Sequence, residues 1–151
     1  MGIRLNCRNG ENESPSYYCG YSHWNMIKQQ MIQACNIIIY RYVPLTAQFQ
    51  IEFDNIKMEL QNNPSFAVVP FLTMYSNPKW KFLFDFLNIE GIYIFLCSSD
   101  SDDKFTTEQS YLIEKSINVI LPFITFYKSD ILEIQTIFSE SVKGGNPVIL
   151  H

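Results

Sequence analysis

A chain of 151 residues, 47% hydrophobic and 17% charged, is long enough for one domain with a buried core and too apolar to be disordered. The net charge of −4 and the lack of any Lys/Arg run argue against a broad nucleic-acid interface, because the two cations flanking Trp80 cannot displace the counterions of a phosphate backbone. No apolar targeting core follows Met1, and the longest apolar runs, Val119 to Tyr127 and Phe66 to Leu72, are short and proline-interrupted, which predicts a soluble cytoplasmic chain without a membrane span.

Ile3 to Cys7 alternates apolar and polar residues, and Ser16 to Tyr21 returns after turn signals at Asn9-Gly10 and Pro15, so a hairpin is expected. Cys7 and Cys19 are candidates to face each other across it. Four cysteines with no C-x-x-C pair and no export signal nevertheless point to reduced thiols. Ser22 is a candidate cap for a long helix with Trp24, Ile27, Met31, Ala34, Cys35 and Ile38 buried, and with Lys28, Gln29, Gln30 and Gln33 on the wetter side. Beyond Pro44, the spacing of Phe49, Phe53, Ile56 and Leu60 predicts a second helix from Thr46 to Gln61. Prolines at 64, 70 and 78 make the next segment irregular, and Trp80, Leu83, Phe84 and Leu87 predict a short helix closed by Asn88.

The unbroken apolar run Ile92–Cys97, punctuated by Gly91, predicts a strand covered on both faces. A polar loop then leads to a helix with a capping box at Thr106 and Gln109, Glu108 at its positive end, and Ile113, Ile117, Ile120 and Leu121 on one face. Pro122 ends or kinks that helix. Ser129 or Asp130 is expected to cap a last helix, with Asp130 and Glu133 as a capping pair and Ile131, Ile134, Ile137 and Phe138 buried. Gly144-Gly145-Asn146-Pro147 breaks it, and Val148–Leu150 is a candidate final strand beside the central one. The expected fold is α+β, a single domain over residues 1–151. Its sheet has three or four strands, drawn from the hairpin, Ile92–Cys97 and Val148–Leu150, and about five helices pack on it.

Ser99, Asp100, Asp102 and Asp103 follow the expected central strand, at the sheet edge where α/β proteins place ligands. Three aspartates offer hard oxygens of the kind Mg²⁺ or Ca²⁺ take. Counted from Asp100, however, an EF-hand has Phe105 where it needs glycine and Tyr111 where it needs a bidentate glutamate. A solvated, helix-capping turn is the commoner role for such residues. His23, at a strand-to-helix junction, is a candidate general base or anion contact, beside its commoner role as a half-exposed helix-start residue. Nucleotide-loop, nucleophile-elbow and zinc-protease motifs are absent.

The opening M-G-I-x-L-x-C, the segment Tyr18-Cys19-Gly20-Tyr21-Ser22-His23-Trp24, and the block from Gly91-Ile92-Tyr93 through Ser99-Asp100 together resemble a group of uncharacterised proteins of large DNA viruses and of phage and bacterial genomes. In that group a strand runs into a Ser-Asp-Cys-Asp/Glu-Gly turn and then a helix. Here Ser99-Asp100 matches, and Ser101-Asp102-Asp103 replaces the rest. The resemblance implies no known activity; a viral origin would place the chain in the host-cell cytoplasm. The expectation is a non-enzymatic binding protein without a cofactor, engaging a protein partner or a small ligand at the Ser98–Asp103 loop. One alternative is a divalent-metal-dependent enzyme using Asp100, Asp102 and Asp103 with Glu108 or His23. Another is a structural or self-assembling virion component.

Overall fold

Alternating apolar residues build the hairpin. Strand β1 (Gly2–Cys7) pairs antiparallel with β2 (Ser16–Gly20), with Leu5 opposite Tyr17 and Ile3 opposite Cys19. Ile3, Leu5, Cys7 and Tyr17 are buried while Arg4 and Tyr18 are exposed, the two-residue period of a sheet covered on one face. The computed structural model describes residues 2–7, 16–42, 51, 58, 78–98 and 103–151. The expected helix over 46–61 and the proline-interrupted segment after it therefore lie outside the described residues, apart from Ile51, Met58 and Pro78.

Helix α1 (Tyr21–Tyr42) follows the hairpin at once and buries Trp24, Ile27, Met31, Ala34, Cys35 and Ile38, as their spacing predicts. It starts one residue before Ser22, so that serine sits inside the first turn rather than flanking it. Lys28 also departs from expectation. It is buried, with its ammonium 5.6 Å from the centre of the Trp24 ring, so the aliphatic stem packs and the charge lies over the indole. Helix α2 (Pro78–Leu87) buries Phe84 and stops at Asn88, whose φ of 60° is a left-handed conformation asparagine tolerates.

The stretch expected as the central strand, Ile92–Cys97, is helical instead: α3 spans Glu90–Leu96. A short apolar run is compatible with either a buried strand or a buried helix, and its length does not separate them. The covered residues do. Ile92, Phe95 and Leu96 are buried, while Tyr93 and Ile94 are half-buried and Cys97 is exposed. That is spacing i, i+3, i+4; a strand would set 92, 94 and 96 against 93, 95 and 97. Gly91 explains the placement. A Cβ there would lie 2.1 Å from the Leu112 carbonyl oxygen, so its absence lets α3 press directly on helix α4 (Thr107–Ile120). The Gly91 N–H donates to Ser116 Oγ at 2.9 Å across the same contact.

The strand that completes the sheet is β3 (Asp103–Phe105), which pairs antiparallel with β4 (Val148–Leu150). Strand β4 also pairs with β1, giving the order β2-β1-β4-β3. The final strand therefore lies inside the sheet, between β1 and β3. The α+β class holds, with a four-stranded antiparallel sheet and five α-helices among the described residues.

Thr106 and Gln109 form the expected capping box of α4, and Pro122 turns its end into the 3₁₀ segment Leu121–Phe123. Helix α5 (Lys128–Gly144) buries Ile131, Ile134, Ile137 and Phe138 and ends at Gly145, with φ of 68°. Its N-cap is Tyr127, itself left-handed at φ 64°, so Ser129 and Asp130 fall inside the first turn and the expected Asp130–Glu133 cap does not form. Phe95 centres the core, packing on Trp24, Phe138 and Phe105 with ring centres 5.2, 6.0 and 6.3 Å away.

Cys19 sits opposite Ile3, four residues along β1 from Cys7, a separation of roughly 14 Å that no disulfide spans. All four cysteines are free. Among the described residues no helix is long and apolar enough to cross a membrane.

Candidate functional site

Among the described residues, two places carry polar or titratable groups in contact or around a cavity, one at each edge of the sheet. At the β2 edge, the turn into α1 brings His23 to the first turn of α5. Asp130 Oδ1 accepts from the Tyr17 hydroxyl at 2.9 Å and stands 3.3 Å from His23 Nε2. The Tyr127 ring meets the imidazole edge-on, with centres 4.7 Å apart, and its hydroxyl reaches Met26 Sδ at 3.2 Å. Burial and then the hydrogen bond to Asp130 push the Tyr17 phenol well above its usual range, so it remains a donor at any physiological pH. Burial also raises the Cys19 thiol, with the Asp130 charge adding to the rise against the Tyr17 hydrogen bond, so this cysteine is no activated nucleophile.

An imidazole oriented by a carboxylate has the geometry of a general base. His23 contacts the Asp130 carboxylate and the edge-on ring of Tyr127. With Tyr17 on the same carboxylate, that arrangement ties β2, α1 and α5 together.

At the β3 edge, α3 and the start of α4 enclose a groove of about 260 Å³ lined by Tyr93, Ile94, Cys97, Ser98, Lys104, Phe105 and Gln109. The helical period of α3 makes its wall, because Tyr93, Ile94 and Cys97 share the side turned away from the core. The Ser98 hydroxyl donates to the Phe95 carbonyl at 2.6 Å. Burial and then the bond to Cys97 raise the Tyr93 phenol to about 12. The Cys97 thiol is also raised by the protein around it, against opposing pulls from Tyr93 and Lys28.

Of the residues singled out by sequence, Ser99, Asp100 and Asp102 lie outside the described residues, and Asp103 is placed through its backbone, which pairs with Leu150. The acidic loop joins a helix to a strand. It does not leave the carboxyl end of a buried strand, so the sheet-edge rule that drew attention to it does not apply. Three strand spacings, roughly 14 Å, separate the strand that leads into His23 from the one that holds Asp103. Glu108 is exposed in the first turn of α4. Among the described residues, no three His, Cys, Asp or Glu side chains gather to hold a metal ion.

Sequence reasoning missed Tyr17 and His23 as partners of Asp130, since each contact spans more than a hundred positions. It missed the groove because that surface exists only if residues 92–97 are helical. Comparison with protein-family models, with curated proteins and with solved structures yields no match, so the site is read from its own geometry.

Proposed function

We propose that this chain is a non-catalytic binding protein whose contact surface is the groove at the foot of the Ser98–Asp103 loop. The observation that carries this reading is that Ser98 and Lys104, on either side of the described ends of that loop, both line the groove. Whatever occupies the groove therefore touches the loop's two anchors. Aromatic and aliphatic walls with a few polar groups at the rim are the usual make-up of a small-ligand site. The one thiol among the lining residues is held protonated, which favours binding over covalent chemistry.

Cys97 is the exposed thiol of the four and serves as a native reporter. In a fragment screen by NMR, ligands are expected to shift Tyr93, Cys97 and Gln109 and to slow alkylation of Cys97 by iodoacetamide. A simultaneous change of Asp100, Asp102 and Asp103 to alanine is expected to alter those affinities. Ligands that bind without moving any of these signals would place the contact surface elsewhere.

A further inference from the structure

We infer that Met26 is a modification site: peroxide oxidises it to the sulfoxide, and Tyr127 passes that change to the start of helix α5. The observation behind this is a row of side chains on α1. His23, Met26 and Gln30 are three and four residues apart, so they stand on one side of the helix. All three grip the same turn. Gln30 Oε1 accepts from the Phe126 N–H at 3.2 Å, Met26 Sδ accepts from the Tyr127 hydroxyl at 3.2 Å, and the His23 ring meets the Tyr127 ring edge-on. The turn they hold is a demanding one. Tyr127 is the N-cap of α5 at φ 64°, a left-handed conformation that a residue with a Cβ keeps only when its surroundings hold it there. No side-chain hydrogen bond caps that helix.

The middle grip is the chemically labile one. Met26 is 48% exposed, whereas Met31, farther along the same helix, is fully buried, so peroxide reaches the first sulfur and not the second. The step is a two-electron oxidation of the thioether. The sulfur lone pair attacks one peroxide oxygen, an S–O bond forms as the O–O bond breaks, and the other oxygen leaves as water. A thioether sulfur is a weak acceptor, while the sulfoxide is polar and carries its own oxygen. The exposed side of Met26 gives that oxygen room, and the donor beside it is the Tyr127 hydroxyl already bonded to the sulfur. The oxidised side chain thus holds Tyr127 more firmly than the reduced one does. In the reduced chain the same hydroxyl draws density from the sulfur and slows its attack on peroxide. Asp130, which accepts from Tyr17 and faces His23, lies three residues into the helix that this turn begins, so the change is delivered to the joint of β2, α1 and α5.

The test treats the full chain and its Tyr127→Phe and Met26→Leu variants with hydrogen peroxide. Sulfoxide at each methionine is followed by peptide mass spectrometry. Met26 is expected to oxidise about tenfold faster than Met31 in the parent, and about twofold faster again in Tyr127→Phe, which keeps the ring but not the donor. Amide exchange at residues 128–131 should slow about threefold in the oxidised parent, return to its starting rate after treatment with methionine sulfoxide reductases, and stay unchanged by peroxide in both variants. Equal oxidation rates at Met26 and Met31 overturn the site. Exchange that is unchanged or faster in the oxidised parent overturns the coupling to α5. The same slowing in Met26→Leu also overturns it, because another oxidised residue is then responsible, and the same slowing in Tyr127→Phe removes Tyr127 as the link.

Discussion

The two edges of the sheet are finished in different ways. At the β2 edge, polar side chains from distant segments converge on one carboxylate and satisfy one another: Tyr17, His23 and Asp130. At the β3 edge, an apolar helix lies hard against its neighbour through Gly91 and leaves its outer side, Tyr93, Ile94 and Cys97, as the wall of a groove. The polar edge ties β2, α1 and α5 together through the Asp130 carboxylate. The apolar edge reads as core in the sequence yet presents a groove. A cluster of titratable residues can therefore hold segments together as well as mark a site.

This contrast can be broken by substitution. The largest effect belongs to the apolar side. Phe95→Ala should lower unfolding free energy by about 4 kcal/mol in urea denaturation, because it removes the ring on which Trp24, Phe105 and Phe138 converge. Gly91→Ala should cost about 3 kcal/mol, since the new methyl meets the backbone of Leu112 and Ile113, which cannot swing aside. It should also speed Cys97 alkylation as the groove wall shifts. A loss below 1 kcal/mol would mean that α3 and α4 are not in backbone contact.

At the polar edge, Asp130→Ala strands the hydroxyl of the buried Tyr17 and should cost about 1.5 kcal/mol. His23→Gln removes a pair whose side chains are 38% and 26% exposed and should cost less than about 0.5 kcal/mol. If the order of these two edges were reversed, the polar trio would be the stronger determinant of the fold. The smallest effect is confined to alkali. Tyr93 ionises at about 12 in the folded chain against a usual 10, so the neutral phenol is favoured by folding. Stability from this residue is complete below pH 10 and is lost as pH rises from 10 towards 12. Ultraviolet titration of Tyr93→Phe beside the parent should show that one late phenol missing.

Much of the frame is legible in the sequence where a local rule decides. The alternation of Ile3, Leu5 and Cys7, the Thr106–Gln109 box, the stripe from Trp24 to Ile38 and the stop at Gly145 each need only a few neighbouring residues, and each appears in the structure. Ile92–Cys97 is misread because all-round hydrophobicity carries no period, and Gly91 looks like punctuation unless Leu112 is known to lie on it. Strand β3 escapes notice because three residues around a lysine are too few to show alternation. Asp130 passes for a helix cap since its true partners come from the other end of the chain. What sequence loses, in each case, is a contact between segments that are far apart along it.

Strand β4 joins β1 to β3, yet it is made after every other described element. A nascent chain leaving the ribosome thus carries a hairpin with one unsatisfied flank until Val148, Ile149 and Leu150 emerge to lie against Leu5, Asn6 and Cys7. Closing that long excursion costs loop-closure entropy that local helix formation does not offset, so refolding is expected to slow when Val148–Leu150 are removed.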